Sequence, residues 1–333
     1  MSVTFAERER IDRQSGDAVL SVRDLNLTLR TSGGPVNPLR GVSFGVEPGR
    51  VLAILGESGS GKSLTLKSIL RVLPARIAEL QGSVTFKGEE LLTASEKQMR
   101  TVRGDRIAMI YQDPVAALDP IFTVGSQITE TIRRHRDVSK AEARALAIKQ
   151  LGELGIPSPE QRMTAYPHEM SGGMCQRIMI AIALACRPDV LLADEPTSAL
   201  DVTVQAQIIG ILREFVRSSN AAVIVVTHDV GVAAELADDV AVMYAGQVVE
   251  MGPVSDVLEH PRHPYTSALI SSNVTLDTTG RLPAIAGVPP DPKNMPTGCA
   301  FRFRCERADV DCHAAPPVVQ ISRGHEARCF KAS

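Results

Sequence analysis

Eight consecutive residues, Gly56-Glu57-Ser58-Gly59-Ser60-Gly61-Lys62-Ser63, carry the chemistry most directly readable from residue type and spacing. The glycines free the backbone to aim successive N–H groups at one point, where they converge on phosphate oxygens. Lys62 adds a compact positive charge for β- and γ-phosphates, and Ser63 adds a hydroxyl ligand for Mg²⁺. The run follows the aliphatic Val51 to Leu55 and precedes Leu64 to Leu73, which has helical character. Strand, loop and helix in that order also bring a helix N-terminus, with its partial positive charge, to the phosphates. A second centre closes another aliphatic run, Val190 to Ala193: Asp194 is placed to hold Mg²⁺ through water and Glu195 to polarise an attacking water. His228 follows a third run, Ala222 to Thr227, at the sheet edge where α/β proteins bind ligands. Taken singly, each feature also fits a structural role: a Gly-rich turn, a strand end meeting solvent, a structural histidine.

The elements that must position these groups alternate short aliphatic runs with helical segments. The runs are Val19 to Arg23, Val42 to Val46, Val51 to Leu55, Arg106 to Ile110, Val190 to Ala193 and Ala222 to Thr227. Such alternation predicts α/β layering around a largely parallel sheet. The first three runs are joined by turn signals, Gly33-Gly34-Pro35 and Glu47-Pro48-Gly49, and predict a small antiparallel portion. From about Val124 to Cys186 the pattern is helical, with Ser139 and Glu142 forming a capping box for a helix that runs to about Leu154. Beyond about Gly252 the chain turns Pro-rich, through Pro283, Pro289, Pro290, Pro292, Pro296, Pro316 and Pro317, and reads as a separate extension.

Composition bounds the function classes. The 333 residues are 44% hydrophobic and 22% charged, with 4% aromatics and no Trp, which excludes disordered and fibrous chains. At roughly 150 residues per domain the prior is two domains. A net charge of −2 supplies no global field for nucleic acid or anionic lipid. The longest apolar stretch, Ile178 to Cys186, is far short of the roughly 20 residues that cross a bilayer. The N-terminal sequence reaches charge at Glu7 and has no apolar core or cleavage site of a secretory signal, so the chain reads as cytoplasmic.

Between the two acidic and phosphate centres lie Gln112 and Ser171-Gly172-Gly173-Met174-Cys175-Gln176, and after them Ser198-Ala199-Leu200-Asp201. In that order the motifs resemble the ATP-binding cassette family from about Leu20 to Met251. The resemblance implies a P-loop nucleotide-binding domain with an antiparallel β subdomain, a RecA-like core and a helical subdomain at about 120–186. It implies that Gln112 is a Q-loop ligand of Mg²⁺, His228 the switch histidine, and Asp201 part of the D-loop. Ser171, Gly172 and Gly173 would hold the γ-phosphate of ATP bound by an opposite subunit, so two cassettes must meet head to tail. Physically, Ser171 fits a helix cap that leaves the first N–H groups of that helix exposed.

Further segments narrow the likeness: Tyr111 to Pro120, Tyr166 to Met174, Met243 to Gln247 and His263 to Leu269 look like the peptide and nickel importer branch, and most like its D-type ATPase subunit. That similarity implies a peripheral subunit on the cytoplasmic face of the inner membrane. Its partners would be a second cassette, homologous F-type or identical, two membrane permeases and an extracytoplasmic substrate-binding protein. The segment after Gln112 would touch a permease. The sequence departs from the family at Leu29 and Arg30, where an aromatic residue usually stacks on adenine. Met170, Cys175 and Glu169 are milder departures, and none removes a phosphate ligand.

Four of the six cysteines, Cys299, Cys305, Cys312 and Cys329, fall in the extension. Their spacing alone leaves open a metal centre, an iron–sulfur cluster or four unligated thiols. The segment Pro296 to Cys305 with Cys312 and Cys329 is similar to the C-terminal motif of D and F subunits, which implies a 4Fe-4S cluster rather than zinc. Glu306 stands where that motif often has Pro. Cys175 and Cys186 read as packing residues. The expected organisation is a tail at 1–18, a cassette at 19–252 and a cysteine-bearing extension at 253–333. The expected function is ATP-driven import of dipeptides or oligopeptides. The alternatives are nickel or another peptide-like solute, and a soluble non-transport cassette ATPase.

Overall fold

The computed structural model describes residues 18–198, 200–272 and 285–332. The described residues form two compact units, one drawn from 18–47, 51–93, 226–272 and 285–332, the other from 48–50, 94–198 and 200–225.

In the first unit, β1 (Leu20–Thr31) and β2 (Gly34–Val46) form an antiparallel hairpin, and β4 (Ala78–Phe86) and β5 (Glu89–Glu90) extend it to a sheet of order β2-β1-β4-β5. Leu25, Leu27, Leu39 and Val42 are fully buried while intervening polar residues face out, the alternation of a sheet with one covered face. The run Val51 to Leu55 does not join this sheet, contrary to the sequence expectation. As β3 it pairs in parallel with β9 (Asp239–Tyr244), Leu52 opposite Asp239 and Leu55 opposite Val242. Its five residues are all buried, so they suit a strand covered on both faces rather than an alternating hairpin.

Beyond β9 the order continues through β10 (Gln247–Pro253), β12 (His325–Arg328) and β11 (Val318–Ser322), all antiparallel neighbours. The extension after Gly252 therefore contains a hairpin that the Pro-rich composition did not suggest. Helix α1 (Lys62–Ile69) follows the phosphate loop.

In the second unit, β6 (Ile107–Ile110) and β7 (Val190–Asp194) pair in parallel, with β8 (Ala222–Thr227) next to β7; the chain passes back to the first unit within β8. Every residue of these three strands is buried. Burying each Val, Leu or Ile side chain contributes about 1.5–3 kcal/mol, so the strands form a rigid base for the residues at their ends. Between β6 and β7 the chain is helical: α2 (Glu96–Val102) precedes β6, then come α3 (Pro114–Ala117), α4 (Val124–His135), α5 (Lys140–Glu153), α6 (Pro159–Arg162) and α7 (Gly172–Leu184). The Ser139 box is present: Ser139 Oγ accepts from Glu142 N at 3.2 Å, and Glu142 Oε2 accepts from Ser139 N at 2.8 Å. Helix α8 (Val202–Ser219) joins β7 to β8.

After β8 come α9 (Val230–Leu236), α10 (Val254–Glu259) and α11 (Pro264–Ser271), all in the first unit. No helix among the described residues is long and apolar enough to cross a membrane.

Candidate nucleotide-binding and hydrolysis site

The phosphate loop leaves the C-terminal end of β3 at Gly56, whose φ of +152° lies in the region open to glycine. A Cβ there would stand 2.2 Å from the Met243 carbonyl oxygen, so the loop can pass β9 this closely only with glycine. The loop curls around its own lysine: buried Lys62 donates through Nζ to the carbonyls of Gly56 at 2.7 Å and Glu57 at 3.0 Å. Ser60 N donates to Glu57 O at 3.2 Å, closing the turn that carries Ser58 and Gly59, both exposed. Gly61, at φ +105°, starts α1 without a side-chain cap. Ser63 lies half-buried in the first turn of α1.

In the second unit, Asp194 ends β7 with 2% of its surface exposed. Glu195 turns the chain sharply with φ +47°. Its carboxylate Oε2 accepts from Gln112 Nε2 at 3.0 Å, two residues beyond the end of β6. The parallel pairing of β6 with β7 explains this meeting, because it brings both strand ends to the same edge. Gln176 Nε2, buried in α7, donates to Pro196 O at 2.7 Å and ties α7 to the turn after Glu195.

Ser171 is the N-cap of α7, its Oγ accepting from Met174 N at 3.3 Å. Ser171 and Gly172 are exposed, and a Cβ added at Gly173 would stand 3.6 Å from Val204 Cγ1 in the first turn of α8. Asp201 caps that helix, Oδ1 accepting from Val204 N at 2.9 Å. The starts of α7 and α8 thus lie side by side; Ala199 lies outside the described residues. His228 is exposed just after β8, in the first unit. Leu29 pairs with Val36 and Ala78 within the antiparallel sheet, and Arg30 forms an exposed ion pair with Glu79 at 3.8 Å.

Sequence reasoning missed the residues that hold Glu57. Arg304, in the extension, makes a forked ion pair to it, Nη1 to Oε2 at 2.7 Å and Nη2 to Oε1 at 2.9 Å. Tyr265, at the start of α11, accepts from Glu57 N through its hydroxyl at 2.8 Å. The signal was the placement of Tyr265 in the His263 to Leu269 segment and of Arg304 one residue before Cys305, but neither spacing reveals the loop it reaches.

Cys299, Cys305, Cys312 and Cys329 lie within electrostatic reach of one another. Burial pushes the Cys299, Cys305 and Cys329 thiols up, and the other cysteines add to the rise. Cys299 N donates to Cys312 O at 3.0 Å. Yet among the described residues no group of three or more His, Cys, Asp or Glu side chains is set as a metal holder, so the geometry does not support the iron–sulfur expectation. His325, near these cysteines in sequence, instead meets buried Glu250 at 2.8 Å. Cys175 and Cys186 are buried, as packing residues should be, and burial raises both thiols.

Comparison with known proteins places these features in one family. The family model described as ABC transporter matches residues 39–198, and that described as oligopeptide/dipeptide transporter, C-terminal region, matches 249–312. The chain is 47% identical over 316 residues to the oligopeptide transport ATP-binding protein OppD of Bacillus subtilis, covering 94% of this chain and 88% of the relative. This chain belongs to the ATP-binding cassette family. It is similarly related to the OppD protein of Escherichia coli, at 43% identity over 99% of this chain and 98% of the relative. Among solved structures, the post-hydrolysis dimer of the ATP-binding cassette MJ0796 bound to ADP and Pi matches with a TM-score of 0.64 and 26% identity. That match covers 71% of this chain and 98% of the other. The cassette ATPase family implies ATP and Mg²⁺ as ligands. The Ser63 hydroxyl and the Asp194 carboxylate are each hard oxygen donors of the kind Mg²⁺ takes.

Proposed function

We propose that this chain is the ATP-hydrolysing, energy-coupling subunit of an importer of dipeptides or oligopeptides. The observation that carries the reading is the Gln112–Glu195 hydrogen bond, because the segment leaving Gln112 is apolar and exposed. Val115 is 61%, Ile121 73% and Phe122 52% exposed, a surface suited to a membrane partner. The relatives named for oligopeptide and dipeptide transport support the cargo class.

In this reading the loop of Gly56, Glu57, Ser58, Gly59, Ser60 and Gly61 cradles the phosphates, and Lys62 exchanges its carbonyl partners for β- and γ-phosphate oxygens. Ser63, Gln112 and Asp194 would hold Mg²⁺, which when bound neutralises charge on the phosphates. Glu195 accepts a proton from the attacking water, and His228 orients that water and the γ-phosphate. Ser171, Gly172 and Gly173, with Asp201 beside them, complete the site of a second cassette, a homologous F-type chain or a copy of this one. ATP closes the pair, hydrolysis reopens it, and two permeases with an extracytoplasmic binding protein complete the machine at the cytoplasmic face of the inner membrane. Residues 19–252 form the cassette, with its helical subdomain at about 120–186, and 253–333 form the extension.

A 4Fe-4S cluster on Cys299, Cys305, Cys312 and Cys329 is the finer reading of the extension. The match of residues 249–312, which include Cys299, Cys305 and Cys312, to the oligopeptide/dipeptide transporter C-terminal region supports it. Anaerobic purification followed by iron and sulfide analysis tests it; a protein free of both leaves the thiols unligated.

Uptake of labelled di- and oligopeptides in cells lacking the chain, with nickel measured alongside, tests the function. Restoration of peptide uptake by the native chain and not by Glu195→Gln is the expected result. Peptide uptake unaffected by loss of the chain would overturn the cargo, and restored nickel uptake alone would replace it.

A further inference from the structure

The C-terminal extension reaches the phosphate loop through one side chain. Arg304 has 4% of its side chain exposed and Glu57 26%, and their paired bonds form a two-point fork rather than a single contact. The other guanidinium nitrogens tie down a different segment: Nε donates to Ala286 O at 2.8 Å, and Nη2 also reaches Ile285 O at 3.4 Å. Residues just downstream, Pro289, Pro290 and Met295, line a small cavity with Glu57 and Ser60 of the loop. Arg304 is itself held. Its N–H donates to Phe301 O at 2.9 Å, and buried Phe301 packs edge-on to Tyr244 and Tyr265 at centroid distances of 5.2 and 5.4 Å. Tyr265 carries the second grip on Glu57, and Tyr244 Oη lies 3.3 Å from Arg304 Nη1.

We propose that Arg304 is a positioning residue for nucleotide binding: it clamps Glu57 and so holds the phosphate loop in the shape that receives ATP. The inference rests on the reading of Gly56 to Ser63 as the ATP site. The energetic sense is preorganisation. An unclamped loop must be ordered by the nucleotide itself, and the ordering cost appears as weaker binding. The clamp does not touch the reacting atoms, so it acts on affinity more than on turnover.

The test uses the full-length chain as wild type, Arg304→Gln, Arg304→Lys, Glu57→Gln and the Arg304→Gln/Glu57→Gln double variant. Two quantities are read: hydrogen exchange of the amides from 56 to 63 without nucleotide, and MgATP affinity by calorimetry. The expected result is faster exchange confined to the loop and about tenfold weaker affinity in each Gln variant, with the double variant no worse than either single. Arg304→Lys, which keeps charge but not the fork, should recover part of the loss. Wild-type exchange and affinity in the Gln variants, or losses that multiply in the double variant, would overturn the clamp. If no form binds MgATP, the reading of the site fails, and the exchange measurement still decides the clamp. A thermal melt of Glu57→Gln, the nearly isosteric change, guards against misreading a folding defect.

Discussion

Glu195 Oε2 and Gln112 Nε2 lie 3.0 Å apart although 83 residues separate them in the chain. The pair joins a carboxylate at the end of one buried strand to an amide at the end of its parallel neighbour. On the far side of Gln112, Asp113 caps the short helix α3, its Oδ1 accepting from Val115 N at 2.9 Å. A change at Glu195 therefore has a direct route into the exposed apolar segment.

Replacing Glu195 with Gln should lower ATP hydrolysis by at least about 100-fold while leaving MgATP binding intact, since the change removes the base and keeps the shape. Gln112→Leu should have a smaller effect on hydrolysis, about tenfold, and a larger one on stimulation by the permeases. Steady-state phosphate release with and without permeases separates the two. Hydrolysis by Glu195→Gln at the wild-type rate would remove Glu195 from its role.

Gly56→Ala should abolish nucleotide binding and destabilise the protein by more than about 2 kcal/mol, because its methyl would meet the Met243 carbonyl on a backbone already at positive φ. Gly88→Ala serves as a control at positive φ with open space around the site, and should retain binding. Urea denaturation and calorimetry read both effects.

Asp201→Ala should cost about 1 kcal/mol of stability through the lost cap of α8, and Ser171→Ala the same or less because its bond is longer. A fall in ATP turnover much beyond that expected from the stability loss would place these residues at the site of an opposing cassette. Turnover measured against protein concentration checks this, since a site completed by a second chain loses activity on dilution.

Buried His263 should make stability pH-dependent. Burial lowers its pKa to about 3, against an ordinary value near 6.5. Between those values the unfolded chain binds a proton that the native chain does not. The contribution is therefore fully present above about pH 6.5 and is lost as pH falls toward 3, with a slope of up to about 1.4 kcal/mol per pH unit. Nδ1 of His263 accepts from Tyr265 N at 3.0 Å, an acceptor role that Asn can fill. The melting temperature of His263→Asn should fall less steeply between pH 6.5 and 4.5 than that of the wild type.

The proposed site was readable in the sequence because its residues stand in contiguous motifs. A phosphate loop needs glycines, lysine and serine at fixed local spacing between a strand and a helix, and residues 56–63 have them. The same holds for the carboxylates after Val190 to Ala193 and for the caps at Ser139, Ser171 and Asp201, where a side chain bonds an N–H three residues on. Tertiary structure alone decided what joins distant segments. Val51–Leu55 belongs to the parallel sheet because burial on both faces, not its closeness to the first hairpin, selects its neighbour. Gln112 meets Glu195 because β6 and β7 pair in register. Arg304 reaches Glu57 across 247 residues because an aromatic cluster from three separate segments holds it there. Local spacing encodes what backbone geometry can satisfy within a turn or two of chain, whereas pairing across the fold depends on which surfaces bury one another.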